Sequence, residues 1–187
     1  MSASDGIPRL AFETIDPAVR EQLKPTVDRL GYFGEFFQVA AHVKGAIPAF
    51  MQYTGAVKAP LSDAHNEVLA LTVCGALEAD YERIQHERLA KRLGFPLDWI
   101  AAASGRPGSH ASTLKDDERK LQALAIAMVS SHGLRCGSEL EAVVAALGPE
   151  RAVAALLQVS RFVNIALLCN ALSLTLPVAS VFDEPGA

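Results

Sequence analysis

The sequence predicts an all-α protein that is about two-thirds helical. No segment shows a sustained alternation of apolar and polar residues, and no Asn-Gly or Asp-Gly turn joins two such segments. Helix-capping and helix-breaking residues recur along the whole chain instead. Half of the residues are apolar and a fifth are charged, a balance typical of a globular protein that buries a core.

The N-terminal part of the chain, residues 15–58, is predicted to form three helices. Asp16 before Pro17 is the pattern of a helix cap followed by proline at the first helical position. Glycines end this helix, and a short apolar helix follows within residues 36–43. Pro48 then lies in the first turn of a third helix.

Two further groups of helices follow, in residues 61–104 and 114–175. In the first group, Ser62 or Asp63 caps a long apolar helix, Asp80 caps the next, and a short helix starts at Pro96. In the second group the predicted helices start at Asp116, after a cap at Ser138, and at Pro149, the last of them running to about Leu174. The connecting stretch around GlyArgProGly is the clearest loop.

These two groups resemble each other. Residues 61–67 align with 114–120, and 91–96 align with 145–149 after one insertion. We therefore expect a duplicated helical unit within one domain that spans residues 1–187, because two such units can bury one shared core.

Charge and hydropathy argue against two classes of partner. The formal net charge is −4, without a basic run, so nucleic-acid binding is not expected. Residues 162–182 carry no charge over the length of a membrane span, but Asn164, Asn170 and Pro177 interrupt them. We expect a buried helix or a subunit interface there, with no membrane partner.

Cysteine usage indicates a reducing compartment. Cys74, Cys136 and Cys169 are widely spaced and form no metal-binding or redox pair motif. The first eight residues lack the basic start and apolar core of a signal peptide. The sequence therefore predicts a cytoplasmic protein.

The strongest functional signal is a set of two acids and one imidazole. Glu82 and His86 are four residues apart, so on a helix their side chains share one face, and Glu67 lies on the preceding predicted helix. An imidazole can give and take a proton near neutrality, and an adjacent carboxylate orients it. Tyr81 and Arg161 are candidate substrate-binding residues, as a hydrogen-bond donor and as an anchor for a carboxylate.

Other interpretations of this set stay open. A surface Glu–His pair on one helix is common and carries no chemistry. The same three side chains could bind a metal in an oxygenase or hydrolase, although no metal is expected because the spacing is not rich in histidine. A helical oligomer that only binds a small molecule is a further alternative.

Residues 61–103 resemble the signature of the carboxymuconolactone decarboxylase and alkylhydroperoxidase D-like family. Segments 86–94 and 160–172 resemble the helices that follow in that family, so the likeness covers most of the chain. Peroxidase members carry Glu, Cys, Cys and His at relative positions 0, 12, 15 and 19. In this chain those positions hold Glu67, Ala79, Glu82 and His86.

The resemblance implies an alkylhydroperoxidase D-like helical fold and a reaction other than peroxide reduction. Peroxidase chemistry needs a thiolate and a resolving thiol, which Ala79 and Glu82 do not supply. The Glu67, Glu82 and His86 set is closer to the decarboxylase members. They suggest a cofactor-free lyase or isomerase that acts by proton transfer on a small unsaturated carboxylic acid or lactone. The resemblance also implies a homo-oligomer, a trimer or a hexamer.

Overall fold

The computed structural model describes residues 6–183. The N-terminal residues 1–5, part of the segment without signal-peptide character, lie outside the described range. Within that range there are nine α-helices, two short 3-10 helices and no strand. The α-helices are α1 (Pro17–Leu30), α2 (Glu35–Ala40), α3 (Ala46–Lys58), α4 (Asp63–Ala76), α5 (Asp80–Arg92), α6 (Leu97–Ala103), α7 (Asp116–Ser131), α8 (Gly137–Leu147) and α9 (Pro149–Ala171).

Two helices start at predicted side-chain caps. The Asp16 carboxylate accepts hydrogen bonds from the backbone of residues 18 and 19 at the start of α1. The Ser62 hydroxyl accepts the backbone N–H of His65 in the first turn of α4. Gly31 takes a left-handed conformation (φ 81°) after α1, which glycine adopts without steric cost.

Several predicted boundaries were wrong by a few residues. The short helix expected at residues 36–43 is α2, which spans Glu35–Ala40. Helix α8 starts at Gly137, and the Ser138 hydroxyl bonds the neighbouring Glu139 instead of capping the helix. Asp80 is the first residue of α5 and not its cap. Helix α9 ends at Ala171 because the chain turns at Ser173, which has a positive φ of 48°.

Helix α4 is the centre of the core. Ten consecutive residues of α4, from His65 to Cys74, are buried, so the helix has protein on every side. It contacts α5, α6, α7 and α9, and the main apolar cluster draws side chains from α4 and from α6 to α9. This burial explains why the α4 sequence is apolar almost all round.

Helices α1 to α3 form a layer next to this core. Helix α3 packs against α9 and also contacts α1 and α2. Phe36 of α2 and Ile165 of α9 belong to one smaller apolar cluster, so the N-terminal layer is joined to the core helices. Between the layer and the helices α4, α5 and α9 a cavity remains.

The C-terminal segment is fixed beneath α5 by a buried acid. Glu87 is fully buried, pairs with Arg83, and accepts a hydrogen bond of 2.5 Å from the Ser180 hydroxyl. Arg106 lies 3.7 Å from the same carboxylate and stacks over the Phe182 ring at 4.1 Å. The chain after α9 is therefore a folded part of the domain.

Helix α9 is long and apolar enough to cross a membrane by length and composition. Within residues 6–183 it is the one helix of that kind. More than half of its most apolar window is buried against α3, α4, α5, α7 and α8. The core helix of a soluble protein has the same features.

Candidate active site

The structure brings Glu67, Glu82 and His86 together. Glu67 projects from α4, while Glu82 and His86 lie one turn apart on α5. The Nδ1 atom of His86 lies 2.8 Å from Glu67 Oε2, and its Nε2 atom lies 3.8 Å from Glu82 Oε2. The imidazole therefore stands between two carboxylates and is hydrogen-bonded to one of them.

The two carboxylates are buried, and the side chain of His86 is 16 % exposed. Glu67 is 2 % exposed and Glu82 is 9 % exposed. Glu67 is an acceptor when ionised, so Nδ1 of His86 carries the proton in this hydrogen bond. His86 Nε2 makes no hydrogen bond with any residue of the described range. One nitrogen of the ring is thus fixed, and the other is available.

Burial and charge act on these groups in different directions. Burial raises the pKa of the Glu82 carboxyl above its ordinary value, although the charges of His86 and Arg161 oppose this. For His86, burial lowers the pKa, but the charge and hydrogen bond of Glu67, with help from Glu82, outweigh burial. The net pKa of His86 is raised above its ordinary value, so the imidazolium persists to higher pH than in a free histidine.

The three groups line a cavity of about 210 Å³ between the N-terminal layer and the core. Its walls are mainly apolar and aromatic towards α2, α3 and α9. The Phe162 ring meets the His86 ring edge-on at 5.0 Å. The apolar lining residues are Leu30, Phe36, Phe37, Phe50, Met51, Leu89, Phe162 and Ile165.

Arg161 is a buried cation in this cavity. It is 9 % exposed, and its guanidinium lies 3.9 Å from the centre of the Phe162 ring and 6.0 Å from that of Phe50. Its one hydrogen bond within residues 6–183 runs from Nε to Gln158, and it forms no ion pair with them. Burial lowers the pKa of Arg161, and the charges of Glu82 and Glu67 only partly oppose this effect.

Tyr81 also lines the cavity, next to Glu82. Its hydroxyl oxygen accepts a hydrogen bond of 3.2 Å from the backbone N–H of Phe36. Burial raises the pKa of this phenol, so it stays protonated. Tyr81 thereby ties α5 to α2, and its hydroxyl proton is still available to a bound molecule.

The site also includes two buried side-chain amides that no sequence pattern predicts. Gln158 of α9 contacts Arg161, and Asn66 of α4 contacts Gln158. The two amides are 92 positions apart in the chain and belong to no motif. Only the packing of α4 against α9 brings them together.

No thiol stands where a peroxidase of the resembled family would need one. Ala79 is buried at the start of α5, and Glu82 lies three residues later. Cys74 and Cys169 are both buried, and burial raises the pKa of each thiol far above its ordinary value. Neither is suited to act as a thiolate.

The remaining histidines lie away from the set. His65 is buried and pairs with Asp117 at 2.9 Å, while His42, His110 and His132 are exposed. In the part of the chain that the structure describes, no group of three or more His, Cys, Asp and Glu side chains has a metal-binding arrangement.

Comparison with known proteins identifies the fold. No family profile matches the chain, and no curated protein matches it by sequence. Solved structures do match. An uncharacterized peroxidase-related protein from Silicibacter sp. TM1040 superposes with a TM-score of 0.75 at 13 % identity, over 93 % of this chain and 91 % of its own.

Two further structures agree. An alkylhydroperoxidase AhpD core protein from Ralstonia eutropha JMP134, described as peroxidase-related, has a TM-score of 0.73 at 18 % identity over 88 % of this chain and 87 % of its own. The chain has the alkylhydroperoxidase D-like fold. The debrominase Bmp8, a cysteine-to-alanine variant in complex with 2,3,4-tribromopyrrole, has a TM-score of 0.71 at 16 % identity over 86 % and 88 % of the two chains.

The predicted all-α, alkylhydroperoxidase D-like fold is therefore confirmed. At these identities the likeness concerns the fold, and the neighbours are peroxidase-related proteins and a debrominase. The reaction of this chain has to be argued from its own side chains.

Proposed function

We propose that the protein is a cofactor-free enzyme that transfers protons, a lyase or isomerase acting on a small unsaturated carboxylic acid or lactone. The observation that carries this proposal is the position of the His86 imidazole, which forms a hydrogen bond of 2.8 Å with Glu67 on one side and lies 3.8 Å from Glu82 on the other. A group that is fixed at one nitrogen and unbonded at the other is arranged for proton transfer.

Glu67 and Glu82 have different roles in this proposal. Glu67 orients the ring through Nδ1 and stabilises the imidazolium, so that Nε2 is the atom that exchanges a proton with the substrate. Glu82, whose pKa is raised by burial, holds a proton to higher pH than an exposed glutamate and can pass it to or from the same region of the cavity. Two groups with raised pKa values thus supply and return one proton.

Arg161 supports an anionic substrate. A buried guanidinium without an ion pair is costly, because the nearby charges of Glu82 and Glu67 do not make up for the water that it has lost. A substrate carboxylate would satisfy it through the terminal N–H groups. The rings of Phe50 and Phe162 beside it suit the planar apolar part of an unsaturated acid or lactone.

One reaction that these groups can support is a decarboxylation. The bond between a carboxylate and the adjacent carbon breaks, CO₂ leaves, and the bonding electron pair stays on the carbon, delocalised into a conjugated carbonyl of the substrate. The proton on His86 Nε2 or on Glu82 then moves to that carbon, and water reprotonates the donor. In an isomerisation the same groups remove and return one proton. Positioning and stabilisation of the enolate charge supply the acceleration.

The test is substitution of the imidazole. A screen of lactones and unsaturated acids first identifies a substrate. We expect His86→Ala to lower the turnover of that substrate by on the order of 10²–10⁴-fold, the usual contribution of a general acid or base. His110→Ala is the control, because that residue is exposed on a loop. Unchanged turnover in folded His86→Ala protein contradicts the assignment.

A metal-dependent reaction is the rival that the same side chains raise. Elemental analysis of untagged protein, compared with the His86→Ala variant, separates the two. A stoichiometric metal that is lost in the variant favours the rival. Substrate binding without turnover in the wild type instead favours a non-catalytic binding protein.

A further inference from the structure

We propose that Gln158 and Asn66 are positioning residues that fix the guanidinium of Arg161 for anion binding. The inference rests on the proposed function in one respect, that Arg161 anchors a substrate carboxylate. It adds that Gln158 and Asn66 hold the guanidinium of Arg161 rigid and direct it into the cavity.

The three side chains form a buried chain of hydrogen bonds. Arg161 Nε donates to Gln158 Oε1 at 2.7 Å, and Gln158 Nε2 donates to Asn66 Oδ1 at 2.5 Å. Gln158 and Asn66 are 1 % and 2 % exposed. The Asn66 amide nitrogen then donates to backbone carbonyls at the end of α3 and the following turn: Ser62 at 3.0 Å, Leu61 at 3.3 Å and Lys58 at 3.4 Å.

The groups at the two ends of this series of hydrogen bonds determine the orientation of both amides. A guanidinium can only donate hydrogen bonds, so Gln158 must turn its carbonyl towards Arg161 and its amide nitrogen towards Asn66. Backbone carbonyls can only accept, so Asn66 must turn its nitrogen towards them and its oxygen towards Gln158. Both ends require the same orientation, and neither amide can flip without leaving buried groups unpaired.

This arrangement uses Nε of Arg161 and leaves the terminal nitrogens for a ligand. They form no hydrogen bond with residues 6–183, and they belong to a cavity that also contains His86 and Glu82. The Phe162 ring at 3.9 Å restricts the guanidinium plane from one side. A planar, fixed pair of N–H groups matches a carboxylate better than a mobile arginine, because less entropy is lost on binding.

A binding experiment tests the role with benzoate as a planar carboxylate probe and benzamide as its neutral analogue. Gln158→Met removes both hydrogen bonds while keeping a similar volume. We expect this variant to bind benzoate about tenfold more weakly than the wild type, the usual effect of losing one charge-assisted hydrogen bond. Benzamide binding is expected to be unchanged, since it does not need the fixed guanidinium.

The controls separate positioning from general stability. Gln122→Met removes a half-buried glutamine on α7 that bonds two carbonyls of α6, away from the cavity, and should leave benzoate binding unchanged. In an Arg161→Gln background, Gln158→Met should have no further effect on benzoate affinity, because its action passes through Arg161. An additive loss in the double variant overturns the inference.

Two outcomes distinguish the positioning role of Gln158 from the anchor role of Arg161. If Arg161→Gln weakens benzoate binding and Gln158→Met does not, the anchor stands and the positioning role is wrong. If Arg161→Gln leaves benzoate binding unchanged, the anchor fails, and the inference fails with it.

A second measurement needs no ligand. In the wild type we expect a resolved Arg161 Nε–H signal in NMR spectra, with slow exchange against solvent. In folded Gln158→Met protein the exchange should be about tenfold faster or more, because the acceptor is gone. Asn66→Leu should give a smaller increase, since Gln158 then loses its own support. Equal exchange rates in the wild type and both variants overturn the inference.

Discussion

The charge of the His86 imidazole depends on one buried carboxylate. Burial alone would lower the pKa of His86, and Glu67 reverses that effect. We expect histidine NMR titration to give a pKa above 6.5 in the wild type and a lower one in Glu67→Gln, which keeps the shape but loses the charge. Glu118→Gln, a change at a buried acid that bonds Trp99 on α6, should leave the His86 pKa unchanged. A wild-type pKa below 6.5 would contradict the electrostatic argument.

The same shift makes stability depend on pH. The folded-state pKa of His86 is raised, so its contribution is fully present below about pH 6.5, the unfolded value, and is lost as the pH rises through the folded value. The raised pKa of Glu82 has the same effect on stability. Its contribution is fully present below about pH 4.5, the unfolded value, and is lost as the pH rises through the folded value. We expect the Tm advantage of the wild type over His86→Gln to be larger near about pH 6 than near about pH 9. A gap that is constant or grows with pH, measured by calorimetry, would refute this.

Part of the site could be predicted residue by residue. The spacing of Glu82 and His86 places them on one helix face, and the resemblance pointed to Glu67. The structure confirms that these three side chains meet, while their catalytic role stays a proposal. Asn66 and Gln158 could not be predicted, because contacts across 92 residues depend on helix packing that no local pattern records.

At the scale of elements, the close packing of α4 against α6 depends on one glycine. A β-carbon at Gly75 would meet the backbone carbonyl of Ser104 well inside contact distance. We expect Gly75→Ala to lower the free energy of unfolding by about 1–3 kcal/mol, as overpacking against an immobile group does.

Gly55 is the matched control for that substitution. It also lies inside a helix, α3, but a β-carbon there meets nothing within 4 Å. Gly55→Ala should raise the free energy of unfolding by about 0.5–1 kcal/mol, because alanine has less conformational entropy to lose. Urea unfolding of both variants checks the pair. Similar changes in the free energy of unfolding for the two variants would show that the contact between residue 75 and Ser104 does not matter.

Helix starts with a side-chain cap could be predicted from the local sequence, whereas the end of α9 could not. Caps such as Asp16 and Ser62 are side-chain signals that act within three residues, so the sequence carries them directly. The end of α9 at Ala171 depends on how the following segment turns back to contact α5 through Ser180. That contact spans 93 residues, and the local pattern continued the helix instead.

The whole molecule carries an uncharged stripe along α9. Val153, Leu157, Leu167 and Leu168 are all at least 36 % exposed and recur at helical spacing on one side of that helix. An apolar face of this length is typical of a subunit interface. It supports the expectation of a homo-oligomer, which stays a proposal.

We expect light scattering to give the mass of a trimer or hexamer for the wild type, and a smaller mass for a Leu157→Glu, Leu168→Glu double variant. A charge buried at an interface without a partner disfavours association. Leu134→Glu is the control, because Leu134 is 82 % exposed on the turn after α7. A wild-type monomer, or an unchanged mass in the double variant, would refute the interface.

The first turn of α5 carries the difference between this chain and peroxidases of the resembled family. Ala79 and Glu82 occupy the positions at which peroxidases of the resembled family carry their two thiols, while Glu67 and His86 beside them hold the acid and imidazole of the same pattern. The arrangement in this chain therefore differs from a thiol pair beside the acid and the imidazole by two side chains, with the surrounding helices left in place.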